Sequence, residues 1–399
     1  MRDISDEALA ALSGDRFDDR LLVVPWYDGE PTHEGPLPVE SWSIRWTRSS
    51  QIQGEAQFSV ADPDGVFAPW AVDDMLGVGG TRVTCALLLG GVDEEVPLGT
   101  FRITQVEPSQ VWVSASRVRS IGSDGTRHVD EPARWLASGT VSVTASDETW
   151  QVSASDFLAP QTVTHRASVM SEIELLLDDI MPVVFTSGVT DTGVPSTVAY
   201  EGSRIDALGT LVRALDAAYR VDAYGQLEVY KPGEDPVWTI NPGDEGVLID
   251  FGRTYDAGEL TNTMVVEGKS GDEGVPLIGV AREASGPLSV DGPHGSIPAK
   301  RQSDILDTQG KVDAAARTYL RTAINDRAIE LPVQCLPNPA LEVGDVVRVE
   351  TPVGGLVGPV ESISLSGNRA GIDPMELGVV VPFSDMQRVG RALRLGLVS

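Results

Sequence analysis

Val96-Pro97-Leu98-Gly99-Thr100-Phe101-Arg102-Ile103 is the stretch on which the fold turns, once it is read with the segments on either side. Upstream, Ser41 to Arg48 reads as a strand. In Gly54-Glu55-Ala56-Gln57-Phe58-Ser59-Val60 alternate residues are apolar, the two-residue period of a half-buried strand. Ala61-Asp62-Pro63-Asp64-Gly65 supplies a turn, and Thr81 to Leu89 a further strand. Most of the 41 Gly and 26 Pro are scattered between short apolar runs, which is the punctuation of many short strands and not of long helices.

This order of segments resembles the N-terminal domain of minor tail proteins from phages of actinobacteria. In that family a β-rich domain leads into an architecture like that of the baseplate hub proteins of contractile tails. The resemblance is strongest over roughly 39–105, with support over 203–268 and 341–366. It implies a mainly β chain with an α+β insertion: two small β-barrel hub domains plus a helix–hairpin domain.

Residues 1–38 read as a short helix over 3–12, capped by Ser5 and ended by Gly14, then a strand over Leu21–Val24 and a polar arm over Asp28–Pro38. The first barrel domain is expected over 39–160, its last strands at Gly139–Ala145 and Thr149–Ala154. The α+β helix–hairpin domain is expected over 161–240. Its helices are Val169–Ile180 and Ser203–Tyr219, the second capped by Ser203 with Asp206 three residues on. A hairpin follows, with its turn at Tyr224-Gly225-Gln226. The second β-rich hub domain is expected over 241–382. It would hold a structureless loop between Lys269 and Lys300, a helix over 310–328 and a hairpin in Leu341–Val349 turning at Gly344-Asp345. Residues 383–399 form a basic tail.

The formal charge is −29, from 59 acidic and 30 basic side chains. Such a surplus disfavours binding to nucleic acid, which rests on Lys and Arg neutralising phosphates. It suits solubility through self-repulsion, and also a channel wall that DNA passes without sticking. Cys85 and Cys335 read as small apolar strand residues, not as a disulfide or a metal pair. His33, His128, His165 and His294 stand far apart, outside any HExxH or HxH pattern. Asp62-Pro63-Asp64-Gly65 opens like a calcium loop but lacks the later acidic ligands, so a turn is expected. The glycine-rich strings match neither phosphate-binding pattern, and there is no GxSxG elbow. No enzyme class, cofactor or metal is expected. No run reaches the roughly 18 to 20 apolar residues of a membrane span, and the N-terminus lacks the look of a secretory signal. The expectation is a soluble chain made in a bacterial cytoplasm, without stable membrane insertion.

Two groups are candidates for interfaces. Trp42 and Trp46 face one side of a strand, either as core or as exposed anchors at a subunit contact. Arg388, Arg391 and Arg394, at spacing three, suit docking on an acidic neighbour, another copy of this chain included. The resemblance implies a homotrimeric ring at the tail tip of the virion. Its partners would be the distal tail protein, the tape-measure protein and other tail-tip proteins, with DNA passing through a central channel. The chain closes at Ser399 with no appended peptidase, lysozyme or glycan-binding module in view, so those tasks are expected of other proteins. The alternative is a receptor- or carbohydrate-binding tip protein with an aromatic platform drawn from Trp42, Trp46, Trp70 and Trp112.

Overall fold

One extra residue sets the phase of the decisive strand. Cys85 pairs with Gly99 and Ala86 with Pro97, so Leu98 has no partner and forms a β-bulge. Val96 and Leu98 before the bulge, and Phe101 and Ile103 after it, are each at most 1% exposed. Strict alternation would send the second pair to the opposite face. A Cβ on Gly99 would lie 2.7 Å from the Phe101 ring, which is why the bulge carries glycine.

These positions come from a computed structural model that describes residues 1–2, 4–5, 7–8, 19–115, 118–121, 127–129, 134–194, 200, 202–244, 246–253, 260–269, 276–302, 308–325 and 328–395. The strands are β1 Arg20–Tyr27, β2 Glu30–Pro31, β3 Val39–Thr47, β4 Gly54–Asp62, β5 Arg82–Leu89, β6 Glu94–Ala115, β7 Val118–Ile121, β8 Arg127–Val129, β9 Arg134–Ser146, β10 Val183–Phe185, β11 Ala218–Val221 and β12 Leu227–Tyr230. They continue with β13 Trp238–Ile240, β14 Leu248–Phe251, β15 Thr263–Lys269, β16 Pro276–Arg282, β17 Pro298–Gln302, β18 Ala328–Cys335, β19 Val346–Thr351, β20 Gly354–Asn368, β21 Gly371–Ile372 and β22 Met375–Pro382. The helices are α1 Thr149–Ala154, α2 Val169–Leu177, α3 Arg204–Ala214, α4 Gln309–Asn325 and α5 Phe383–Arg394. With 43% strand against 17% helix the chain is mainly β.

The chain divides into two units. The first comprises Met1–Asp250, Val333–Val347 and Pro359–Gly378; the second comprises Phe251–Pro332, Arg348–Gly358 and Val379–Ser399. In the first unit an antiparallel sheet runs from the 362–368 half of β20 through β3, β4, β9, β6, β5 and β1 to β2. Alternate residues of β3, β4 and β9 face one interior: Trp42, Ile44 and Trp46, then Ala56, Phe58 and Val60, then Val141, Val143 and Ala145. Phe58 lies between Trp42 and Val143 in register, and Ala56 between Ile44 and Ala145, so a row of large side chains runs beside a row of smaller ones.

A helical layer follows in the same unit. Ser168 caps α2 by accepting a bond from the Ser171 N–H (3.0 Å), and Ser203 caps α3 by accepting one from the Asp206 N–H (3.3 Å). The helices pack Ile173, Leu177, Leu208 and Leu211 against Leu227 and Val229 of a small sheet ordered β10-β12-β11. Full burial of a side chain of this size stabilises by about 1.5–3 kcal/mol. The β11–β12 turn uses Gly225 at φ +80°, and the Asp222 carboxylate accepts the N–H groups of Tyr224 and Gln226.

In the second unit a three-stranded sheet, ordered β16-β15-β17, is covered on one face by α4. Met264, Val266 and Ala281 meet Val312, Ala316 and Leu320 there. Buried Asn262 holds the loop after β16: its Nδ2 donates to the carbonyls of Leu288 (2.9 Å) and Gly295 (2.6 Å), and its Oδ1 accepts from the Ile297 N–H (2.8 Å).

Several expectations need correction. No closed barrel forms among the described residues. The sheet of the first unit ends on two-residue β2, and only isolated backbone bonds, such as Leu37 N–H to the Val23 carbonyl, tie the segment before β3 to β1. Thr149–Ala154, read as a strand, is helix α1, because the Asp147 carboxylate accepts the Thr149 N–H and starts the turn. The expected loop over 269–300 contains β16 and the start of β17. The first arm of the expected hairpin at 341–349 is not a strand, although Gly344 does turn the chain at φ +87°. Helix α3 stops at Ala214, well short of Tyr219, and Asp216 at φ +50° redirects the chain into β11. Helix α2 ends at Leu177 rather than Ile180, while α4 falls close to its expected span. The expected helix over 3–12 lies mostly outside the described residues.

Candidate functional site

A cluster of ion pairs in the first unit brings distant segments together. Arg220 on β11 donates from Nε to Glu228 across the hairpin (2.6 Å). Its Nη2 pairs with Glu342 (3.0 Å), and its Nη1 donates to Asp345 (3.4 Å) and to the Val343 carbonyl (3.3 Å). The guanidinium also lies over the Tyr230 ring, 4.8 Å from its centroid. Arg2 approaches the same loop from the other side: Nη1 donates to the carbonyls of Pro339 (2.6 Å) and Leu341 (3.2 Å), and Nη2 to that of Leu98 (3.1 Å). Its guanidinium stands 5.4 Å from the centre of the Trp46 ring. The Met1 ammonium lies 2.8 Å from Asp345.

Burial works to lower the pKa of the Arg220 guanidinium; the charges of Glu342, Glu228 and Asp345 overcome that and raise it. For Arg2, burial wins and the pKa falls, with Glu342 opposing. Gly344 closes the cluster, since a Cβ there would stand 1.9 Å from the Tyr230 hydroxyl oxygen.

A second buried centre lies at the start of α1. Asp147 accepts from the Gly54 N–H (2.5 Å), the Thr149 N–H (3.0 Å) and the Thr149 hydroxyl. Burial pushes its carboxyl up to about 6 even so. Neighbouring Glu148 holds Arg82 on β5 (2.5 Å) and Arg102 on β6 (3.8 Å). In the helical layer, buried Glu172 accepts from the N–H groups of Thr164 and His165 and from the Tyr200 hydroxyl (2.7 Å). A cleft of about 750 Å³ lined by Arg48, Gln51, Gln53, Asp206, Arg213 and Tyr219 offers hydrogen bonds and charge. Asp147, Glu148 and Glu172 each join segments that lie apart in the sequence.

Trp42 and Trp46, 6% and 7% exposed, belong to the interior and are not exposed anchors. The edge of the Trp42 ring packs on Gly367, and Trp46 lies 6.4 Å from Phe101, centroid to centroid. Of the other platform candidates, Trp70 is 79% exposed, and the side chain of Trp112 lies outside the described residues. Arg388, Arg391 and Arg394 are exposed on α5, held to its unit by Met386 and Val389. Arg388 pairs with Asp385 (3.4 Å), and the other two suit the negative end of the helix dipole.

Asp62 is a turn organiser, its carboxylate accepting the N–H groups of Val66, Phe67 and Ala68. Cys85 and Cys335 are free and buried, with thiols pushed up to about 12 by burial. Among the described residues no group of three or more His, Cys, Asp or Glu side chains is placed to hold a metal ion, and no helix is long and apolar enough to cross a membrane.

The ion-pair cluster escapes the sequence reading, although one signal for it exists. Arg220 and Glu228 are opposite charges placed symmetrically about the hairpin turn, which makes them cross-strand partners. Charge is also divided unequally. The first unit carries 17 Lys and Arg against 45 Asp and Glu, the second 13 against 14, so net charges of −28 and −1 make up the −29 of the chain.

No family model and no curated protein matches this sequence. Solved structures do. The tail protein from Neisseria meningitidis MC58 superposes with a TM-score of 0.54 at 15% identity, over 90% of this chain and 96% of that one. The 43 kDa tail protein of prophage MuSo2 from Shewanella oneidensis gives a TM-score of 0.52 at 12% identity, over 91% of this chain and 98% of that one. At such identity the likeness is one of fold, and it runs almost from end to end. The chain has the fold of phage tail proteins.

Proposed function

We propose that this chain is a structural protein of a phage tail tip, a baseplate hub of which three copies form a ring in the virion. The end-to-end fold match with two tail proteins carries the reading. Each copy contributes two β-rich regions, 39–160 and 241–382, so a ring of three presents six to a sixfold tail tube while keeping threefold symmetry toward the tip. The distal tail protein, the tape-measure protein and other tail-tip proteins are its neighbours. The acidic first units, at −28 each, line a channel that DNA crosses without binding. Within each copy an arm over 1–38, β-rich regions over 39–160 and 241–382, the helix–hairpin region over 161–240 and the basic segment over 383–399 form the working divisions. The ion pairs of Arg220 and Arg2 keep the first unit rigid enough to serve as a ring segment.

Light scattering on the purified chain across a concentration series tests the ring. A mass three times that of the 42.5 kDa chain is expected. A single-chain mass at every concentration and salt would overturn it.

A further inference from the structure

The three-stranded sheet of the second unit has one dry face and one open face. On the open face Ile278 and Val280 are 54% and 48% exposed. Val265 lies beside Val280 in register and Lys300 on its other side; Arg282 ends the same face, and Glu267 is its one carboxylate. Neither Arg282 nor Lys300 forms an ion pair among the described residues. Strands β16 and β17 are both edges of this sheet. Exposed β-branched residues between two open edges are a surface that proteins ordinarily cover.

The division of charge indicates what covers it. A twofold contact sets the same patch of each copy against itself. First unit on first unit would oppose −28 with −28, and this sheet face on itself would set Arg282 and Lys300 against their own copies. Like charges so placed cost several kcal/mol. A contact of the second unit of one copy on the first unit of the next avoids both repulsions. It is also head-to-tail, the kind of contact that closes into rings.

We infer that the Val265, Ile278 and Val280 face, flanked by Arg282 and Lys300, docks on the acidic first unit of a neighbouring copy. This rests on the ring reading above and names the surface that builds it. The contact is apolar at its centre and charge-paired at its rim, the usual anatomy of a protein interface. Nucleic acid is the poorer occupant, because the first unit of the same chain repels it.

Carbodiimide coupling, which joins an amine and a carboxylate with loss of water, gives a direct test. Equal amounts of ¹⁴N- and ¹⁵N-labelled chain are mixed, coupled and digested, and mixed-isotope peptides are read by mass spectrometry. Links from Lys300 to carboxylates of residues 1–250 of the other copy are expected. Lys231 is the sole lysine of the first unit and serves as the internal control. Mixed-isotope links from Lys231 to first-unit carboxylates, with none from Lys300, would overturn the inference. Alongside, the double variant Ile278→Glu, Lys300→Glu should melt as the parent does. It should need more than about tenfold higher concentration to reach the assembled mass, since each 1.4 kcal/mol lost is tenfold. A folded variant that assembles like the parent would refute the docking surface and leave the ring intact. A parent chain that never assembles would instead remove the ring itself.

Discussion

Replacing Arg220 with Met should be among the most damaging single changes to the first unit. The side chain is 11% exposed, and the carboxylates of Glu342 and Asp345 that face it are 9% exposed. Methionine fills similar space but leaves both anions short of a partner in a site that water barely enters. Removing one member of a buried pair costs about 3–5 kcal/mol when the remaining charge is left desolvated. Here the Met1 ammonium and Arg2 still face Asp345 and Glu342, so the lower end of that range is expected. With a urea dependence of about 3 kcal/mol per molar, the unfolding midpoint of the first unit should fall by about 1 M. Tryptophan fluorescence is a suitable probe, since Trp46 lies under Arg2 in the same cluster. Arg369→Met is the matched control: its pair with Glu40 is 61% and 39% exposed, and such pairs contribute under about 1 kcal/mol. Adding Glu342→Gln to Arg220→Met should restore part of the loss, because one unpaired anion is removed. If Arg220→Met costs no more than Arg369→Met, the cluster does not hold the first unit together and the argument fails.

Gly344→Ala should cost more than about 2 kcal/mol, combining strain at φ +87° with the contact to Tyr230, and a Tyr230→Phe background should recover part of it in the same urea titration. For Asp147 the folded pKa of about 6 lies above the ordinary 3.8, so its stabilisation is full below pH 3.8 and is lost as pH rises through 6. The stability difference between parent and Asp147→Asn should therefore change by about 2–2.5 kcal/mol between pH 4 and pH 7, and a flat difference would contradict the burial argument. In the second unit, Asn262→Ala removes three bonds to the backbone of the loop after β16. A loss of about 2–4 kcal/mol is expected, with faster amide exchange at Ile297 as its local sign; unchanged exchange there would refute the anchoring role.

The sequence exposed what depends on local period and capping. The alternation in 54–60 became β4, and Ser203 caps α3 as its spacing with Asp206 implied. What it hid depends on neighbours far along the chain. In β16 apolar residues occupy both faces, so Pro276 to Arg282 shows no alternation; inward-facing Gly279 is glycine because a Cβ there would stand 2.7 Å from the Val312 carbonyl of α4. Trp42 and Trp46 share a face in either reading, and only the fold shows that this face is interior. Glu342 and Asp345 gain their meaning from Arg220 and Arg2, more than a hundred residues away in sequence, and no spacing rule links them.

The proposed role is a position in an assembly, so the deciding measurement is cryo-electron microscopy of tail tips from phage particles that carry this chain. Density for three copies is expected in a ring at the end of the tail tube, with the first units toward the channel and the β16–β15–β17 face of each copy against the next. Tails that lack the chain, or that carry it outside such a ring, would contradict the account.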